Sequence, residues 1–258
     1  MRLPTSRTSI ASRPLRLRFL SALFALWLLP SHARADTAVT TCGQELTGRG
    51  YLTGDLTCDG DGYGVEIEGS GSLDLRGFTI TGGEYGVFCQ KTCKVFGGGT
   101  ITGAVEDGIV AIKTVKVDGI TVSNNGFAGV KGGRVAMVAN AVLTGNGRAG
   151  VQGLVRAKLT DTTSQGNGHG ADAGGTLSVT RSNVSGNLLG GVYCDRISAR
   201  DSSIVDNDVD ARCGVTLTCA DLGTGLDGKK PRVDDVTCGT SYKGDTLPAD
   251  TWGVCSAD

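Results

Sequence analysis

Between Gly64 and Ile204 the apolar residues fall into columns rather than runs. Val122, Leu143, Ser164, Val184 and Ile204 follow one another at steps of 21, 21, 20 and 20 residues, and the column extends back to Ile101 and Ile80. Five residues before its members stand Val117, Val138, Leu159, Val179 and Ala199. Two residues earlier again come Val115, Ala136, Ala157, Leu177 and Ile197. Apolar and polar positions alternate over these short stretches, the period of a strand with one face buried. A further strand opens each unit after a glycine, at Gly64-Val65, Gly86-Val87, Gly108-Ile109, Gly129-Val130, Gly150-Val151 and Gly191-Val192.

The polar corners repeat with the same step. Asparagines stand at 125, 146, 167, 187 and 207, each three residues after the apolar column. Asparagine tolerates the left-handed backbone that a sharp corner needs. Asparagines stacked in register can also bond their side-chain amides from one unit to the next. Short strands recurring every 20–22 residues, with Asn and Gly at the bends, predict an all-β chain wound as a parallel β-helix of about eight coils. At the ordinary strand spacing that is a rod roughly 35–40 Å long. A leucine-rich repeat of similar length needs a denser leucine pattern and a helical segment. Here the columns mix Val, Ile, Leu and Ala, and no stretch reads as an amphipathic helix.

The two ends lie outside the period. Residues 1–18 hold five arginines, Phe19–Leu29 is apolar, and Ala33-Arg34-Ala35 follows Pro30. This predicts a secretory signal spanning 1–35, cut before Asp36, with no membrane span afterwards. No Arg-Arg pair occurs in it, which favours the general secretory route. Residues 36–63 are expected to form an N-terminal cap and first coil, 64–220 the repeats, and 221–258 a C-terminal cap. The chain from residue 36 onward carries 19 basic against 26 acidic residues, a formal charge of −7. That argues against nucleic acid or an anionic membrane as a general partner. The 42 glycines and 5% aromatics fit the same picture of corners and small core residues.

All nine cysteines lie beyond residue 35. An exported chain permits disulfides. Cys42 with Cys58 would staple the first turn and Cys238 with Cys255 the last. Cys194 and Cys213 lie about one coil apart, Cys89 and Cys93 within one coil, and Cys219 is the odd one.

The segment GSLDLRGFTITGG, Gly71 to Gly83, resembles the coil signature of secreted bacterial right-handed β-helix repeat proteins. The opening TCG…LTGDLTCDGDG and the closing WGVCSAD resemble the caps of a subset of them. The likeness spans roughly residues 41–258 and implies a right-handed parallel β-helix. The wider, pectate-lyase-like superfamily includes polysaccharide lyases, epimerases, a metalloenzyme maturation factor, phage tailspikes and surface proteins without a reaction. Fold alone does not choose among them.

The chemistry is sparse. His169 is the one histidine left after the signal, which excludes a two-histidine metal site. It sits in GNGHG and reads as a turn residue. GNGRAG, Gly145 to Gly150, matches a dinucleotide fingerprint by its letters, but it is one corner of the repeat and no βαβ unit surrounds it. Asp206, Asp208 and Asp210 alternate and offer calcium ligands, or simply a solvated acidic turn. Lys94, Lys116 and Lys158 share a column interrupted by Met137, with Arg156 on the same side as Lys158. This is a strip for an anionic polysaccharide, or an ordinary solvated face. Thr79/Thr81 and Thr100/Thr102 hint at an ice-binding face, but that column breaks at Val142. The expectation is an exported surface or extracellular protein, structural or carbohydrate-binding, with a cell-surface or extracellular polysaccharide as partner. The alternative is a calcium-assisted polyuronate lyase. In it Lys116 or Lys158 acts as base, Lys94, Lys116, Arg156 and Lys158 hold substrate, and Asp206, Asp208 and Asp210 hold the metal.

Overall fold

The computed structural model describes residues 36–208, together with the strands Ala211–Thr218 and Val236–Cys238. The described residues are all-β, with 24 strands and no helix, and every strand pair is parallel or extends a parallel ladder. They form a parallel β-solenoid with three faces. Face A carries the strands Tyr85–Cys89, Ile109–Ala111, Ala128–Gly132, Ala149–Gly153 and His169–Ala173. Face B carries Thr92–Phe96, Thr114–Asp118, Val135–Ala139, Arg156–Thr160 and Thr176–Thr180. Face C is an eight-stranded sheet running from Leu56–Cys58 to Ser203–Val205, one strand per coil, so the solenoid has about eight turns. Toward both ends faces A and B join, because the long strands Gln44–Leu52, Tyr63–Asp74 and Gly190–Arg200 continue round the corner between them. Register shifts at Thr47/Arg49 and Cys194/Arg196 mark where two of these strands bend.

The columns legible in the sequence are the pairing register. Val115 pairs with Ala136, Ala136 with Ala157, Ala157 with Leu177 and Leu177 with Ile197. Val122, Leu143, Ser164, Val184 and Ile204 pair in the same way on face C. Their side chains are buried and form one continuous aliphatic core. No single coil encloses such a core, so stacking is what removes the apolar side chains from water. The interior is filled by Leu, Ile, Val, Ala and Cys, while Phe78 is only partly buried against it. Ser164 stands fully buried in the apolar column, where its hydroxyl donates to the Gly170 carbonyl at 2.7 Å.

The asparagines do form a ladder, at the corner between faces C and A. The Oδ1 of Asn146 accepts from the backbone N–H and the Nδ2 of Asn125, at 3.2 and 2.8 Å. The Nδ2 of Asn146 donates to Asn167 Oδ1 at 2.9 Å and to the Val122 carbonyl at 3.2 Å. Both amide hydrogens and both oxygen lone pairs are therefore used, which a buried amide requires. The same pattern continues through Asn167 and Asn187 to Asn207. The sharp bend, however, is one residue earlier than expected. The left-handed residues are Asn124, Gly145, Gly166, Gly186 and Asp206, at φ between 53° and 66°, and the ladder asparagines are not among them. The residue that turns and the residue that bonds are neighbours with separate tasks. Glycine on face A makes room for the ladder: a Cβ on Gly129 would stand 2.8 Å from Asn146 Nδ2 and from the Gly150 carbonyl.

A second, shorter ladder follows the corner between faces B and C. Thr162 N–H donates to Ser182 Oγ at 3.1 Å, and Ser182 N–H to Ser202 Oγ at 3.2 Å. Each serine hydroxyl in turn donates back to the carbonyl two residues before it.

Two expected disulfides are present, Cys42–Cys58 and Cys89–Cys93. Cys194 is disulfide-bonded and stands in register opposite Cys213, which itself pairs in register with Cys238. Cys219, Cys255 and the signal-like residues 1–35 lie outside the described residues. No described helix is long and apolar enough to cross a membrane.

Candidate functional site

The lysine column on face B is real as a column. Lys94 pairs in register with Lys116, Lys116 with Met137, Met137 with Lys158, and Lys158 with Ser178. Lys94 is paired with Asp118 at 3.5 Å and lies 4.7 Å over the Phe96 ring. Lys116 and Lys158 are exposed, as is Arg156 two residues before Lys158. Asp206 and Asp208 lie elsewhere, at the corner that follows Ser203–Val205 on face C. Asp206 is that corner's left-handed residue, and both side chains are exposed on either side of Asn207, which is bonded into the ladder. Asp210 lies outside the described residues. The structure therefore does not bring the lysines and the described aspartates into one groove. Among the described residues no three His, Cys, Asp or Glu side chains gather to hold a metal ion.

Face C carries the threonines: Thr79, Thr100 and Thr121 in one column, Thr81 and Thr102 in the next, with Ser123 Oγ donating to Thr102 Oγ1 at 3.2 Å. The first column breaks at Val142, which is 43% exposed.

Face A holds the features that sequence columns alone had not singled out. Two residues after each corner glycine the side chain points outward, giving the column Glu66, Phe88, Val110, Lys131, Gln152, Asp172, Tyr193. Three of the five tyrosines, the single described histidine and an ion pair with a buried carboxylate are on this face. Of the exposed large apolar residues, Val105, Phe127, Leu188 and Leu189 follow its corner with face C, while Ile112, Leu154 and Val155 follow its corner with face B. At the same corners stand the charged Glu84, Glu106 and Arg148 on one side and Lys91, Lys113 and Arg134 on the other, so the two borders of the face mix apolar and charged residues.

Toward the C-terminal coils face A opens into a groove of about 400 Å³, lined by Arg148, His169, Asp172, Leu189, Val192 and Tyr193. His169 is not a turn residue: it opens the strand His169–Ala173, between Ala149 and Gly190 in register. The ring centroids of His169 and Tyr193 are 6.2 Å apart, inclined at 46°. The Nδ1 of His169 is buried and has no hydrogen-bond partner, alone in this among the described side chains. Burial holds the imidazole below its ordinary pKa; Asp172 opposes that shift and the Arg148 cation adds to it. Asp172 is fixed by Gln152, a buried side chain whose Nε2 donates to Asp172 Oδ2 at 2.8 Å. A concave site with aromatic and apolar walls and a few converging polar groups is what a small-molecule or sugar site requires. Only one carboxylate lines it, so it lacks the carboxylate pair of a glycosidase.

Toward the N-terminal coils the same face presents a three-ring cluster. Tyr63 and Phe88 stack at 4.6 Å and 13°; Tyr85 is tilted against both, at 5.8 and 6.0 Å. Between cluster and groove lies Asp107, 1% exposed, which accepts from Ala128 N–H at 2.9 Å and from Lys131 Nζ at 3.0 Å.

Comparison with protein families, with curated proteins and with solved structures found no match to this chain.

Proposed function

We propose that this chain is an exported, non-catalytic carbohydrate-binding protein of the right-handed, pectin-lyase-like β-helix type, and that the glycan lies along face A. The observation that carries the reading is the groove between Arg148 and Tyr193. There a tyrosine ring, a carboxylate held by Gln152, one cation and an imidazole converge beside Leu189 and Val192. Sugar rings offer apolar C–H faces to aromatic rings and hydroxyls to such polar groups. Export is supported by the signal-like start and by disulfides, which persist in oxidising compartments. The calcium-assisted lyase draws no support from the structure, since its proposed base and the described metal ligands lie on different parts of the solenoid.

The test is a glycan-binding screen with the chain from residue 36 onward, alongside Tyr193→Ala and Arg148→Ala. Binding that falls by about tenfold in either variant is the expected result. The same polysaccharides, incubated with calcium and with chelator, should develop no ultraviolet absorbance of unsaturated uronate. A calcium-dependent rise would put the lyase first.

A further inference from the structure

The solenoid is electrically polar along its length. Residues 36–107 hold four basic and eleven acidic side chains, a formal charge of −7, whereas residues 108–208 hold ten basic and seven acidic ones, +3. The three-ring cluster lies in the acidic part, and three of the four basic residues there are turned to other work. Arg49 pairs with Asp36, Arg76 with Asp74 and over the Tyr51 ring, and Lys94 with Asp118 on face B. Lys91 stands in the bend between the face A strand Tyr85–Cys89 and the face B strand Thr92–Phe96.

Around the rings the carboxylates fall into two kinds. Asp107 is held by Lys131, and Glu66 accepts from Gln90 Nε2 at 2.8 Å. Glu84 and Glu106 stand in consecutive coils at the edge of the cluster, the Glu106 N–H donating to the Glu84 carbonyl at 2.8 Å, and neither takes part in an ion pair among the described residues. Their charge is felt at the rings. The Tyr85 phenol is held above its ordinary pKa first by burial and then by Glu84, Glu106 and Asp107. The rings are not core residues: inward positions on the same strands are Val65, Ile67, Val87 and Cys89, all fully buried, while Tyr63, Tyr85 and Phe88 remain partly exposed.

Aromatic faces attract cations through their quadrupole, and a rim of ionised carboxylates adds a second attraction of the same sign. An ordinary neutral sugar would use the rings but leave the carboxylates without a partner. From the ring cluster and its two uncommitted glutamates we infer that the N-terminal part of face A binds a cationic glycan, a polymer of amino sugar with free amines. This rests on the reading of face A as a glycan surface and names the ligand class. The sugar ring packs on the outer face of the stacked Tyr63–Phe88 pair, and its ammonium group sits between Tyr85 and the carboxylates of Glu84 and Glu106.

The experiment compares four probes on the chain from residue 36 onward: chitosan, fully acetylated chitin oligomers, polygalacturonate and polylysine. Wild type is run beside Glu84→Gln/Glu106→Gln and Tyr85→Ala, with a melting curve for each variant. Chitosan is expected to bind about tenfold or more tightly than the acetylated oligomers, and to weaken by about tenfold in each variant. The glutamine pair, partly exposed, keeps the fold, so it decides the matter if Tyr85→Ala melts early. Equal binding of acetylated and free-amine polymers overturns the inference, as does polylysine bound as tightly as chitosan, or chitosan binding indifferent to the glutamine pair. Binding of other glycans without chitosan overturns the ligand class and leaves face A as a glycan surface. Binding of no glycan at all overturns both.

Discussion

The first three coils and the later five solve one problem in two ways. Each coil must be held to the next at a corner where the chain reverses direction. In the early coils Cys42–Cys58 closes the first turn, Cys89–Cys93 fixes a bend within one coil, and glycine-rich bends such as Gly97-Gly98-Gly99 stand at positive φ. From Asn125 onward buried asparagines carry the corner, joined in the last coils by the Thr162–Ser182–Ser202 ladder and by the disulfide of Cys194. The surfaces differ in parallel. The early coils are acidic and show stacked rings; the later ones are net basic and show a groove. A disulfide acts chiefly on the unfolded chain by closing a loop, whereas a ladder acts in the folded state and is as strong as its weakest unpaired amide. The same architecture is thus held without a buried amide ladder in its first coils and through one in the coils that follow.

The asparagine ladder is most vulnerable at Asn146. Leucine there leaves the Asn125 amide, the Asn125 backbone N–H and the Val122 carbonyl each short of a buried partner. The expected loss is about 4 kcal/mol, read as a lower denaturant midpoint. An unchanged midpoint would remove the ladder from the account of stability. Next comes Cys42→Ser/Cys58→Ser, which opens a loop of 16-residue separation; about 3 kcal/mol should go. Opening the Cys89–Cys93 loop, of separation 4, should cost less than that. If the two pairs cost the same, loop closure is not how the early coils are held.

Acid should act on the later coils. The folded pKa of His169 lies below its unfolded value, so the unfolded chain binds more protons in the window just below the unfolded pKa of about 6.5. Stability is full above that value and declines as pH falls below it. His169→Gln should flatten this slope between about pH 7 and 5; a slope that persists unchanged assigns the titration elsewhere. Smallest of all is Arg181→Gln. The guanidinium donates to Asp161 at 2.7 and 2.6 Å, yet both groups are exposed, and solvent should leave the melting temperature unmoved.

Much of this arrangement was written in the spacing. The three apolar columns are the register, residue for residue, because a stacked coil forces positions one period apart to become neighbours. The ladder at Asn125, Asn146, Asn167, Asn187 and Asn207 was legible for the same reason, and so was the lysine column. The second ladder was harder to see, since Thr162, Ser182 and Ser202 continue a column that begins with Ile120 and Ala141, and a serine on its own carries no signal. His169 was misplaced into a turn because its neighbours Gly168 and Gly170 look like a bend. The bend does take in Gly168, but the next strand already begins at His169, with Gly170 inside it.

The sequence by itself determined the period, the parallel stacking, the register and which side chains turn inward, because all of these follow from burying an apolar column that recurs every 20–22 residues. It did not determine which outward residues share a site. Residues one period apart are adjacent on a face, but those on different strands of a coil are placed by the angles of the corners, and such angles are set by packing. Only the folded solenoid could part Lys158 from Asp206, set Arg148, Asp172 and Tyr193 round one histidine, and stack Tyr63 on Phe88, 25 residues further along the chain.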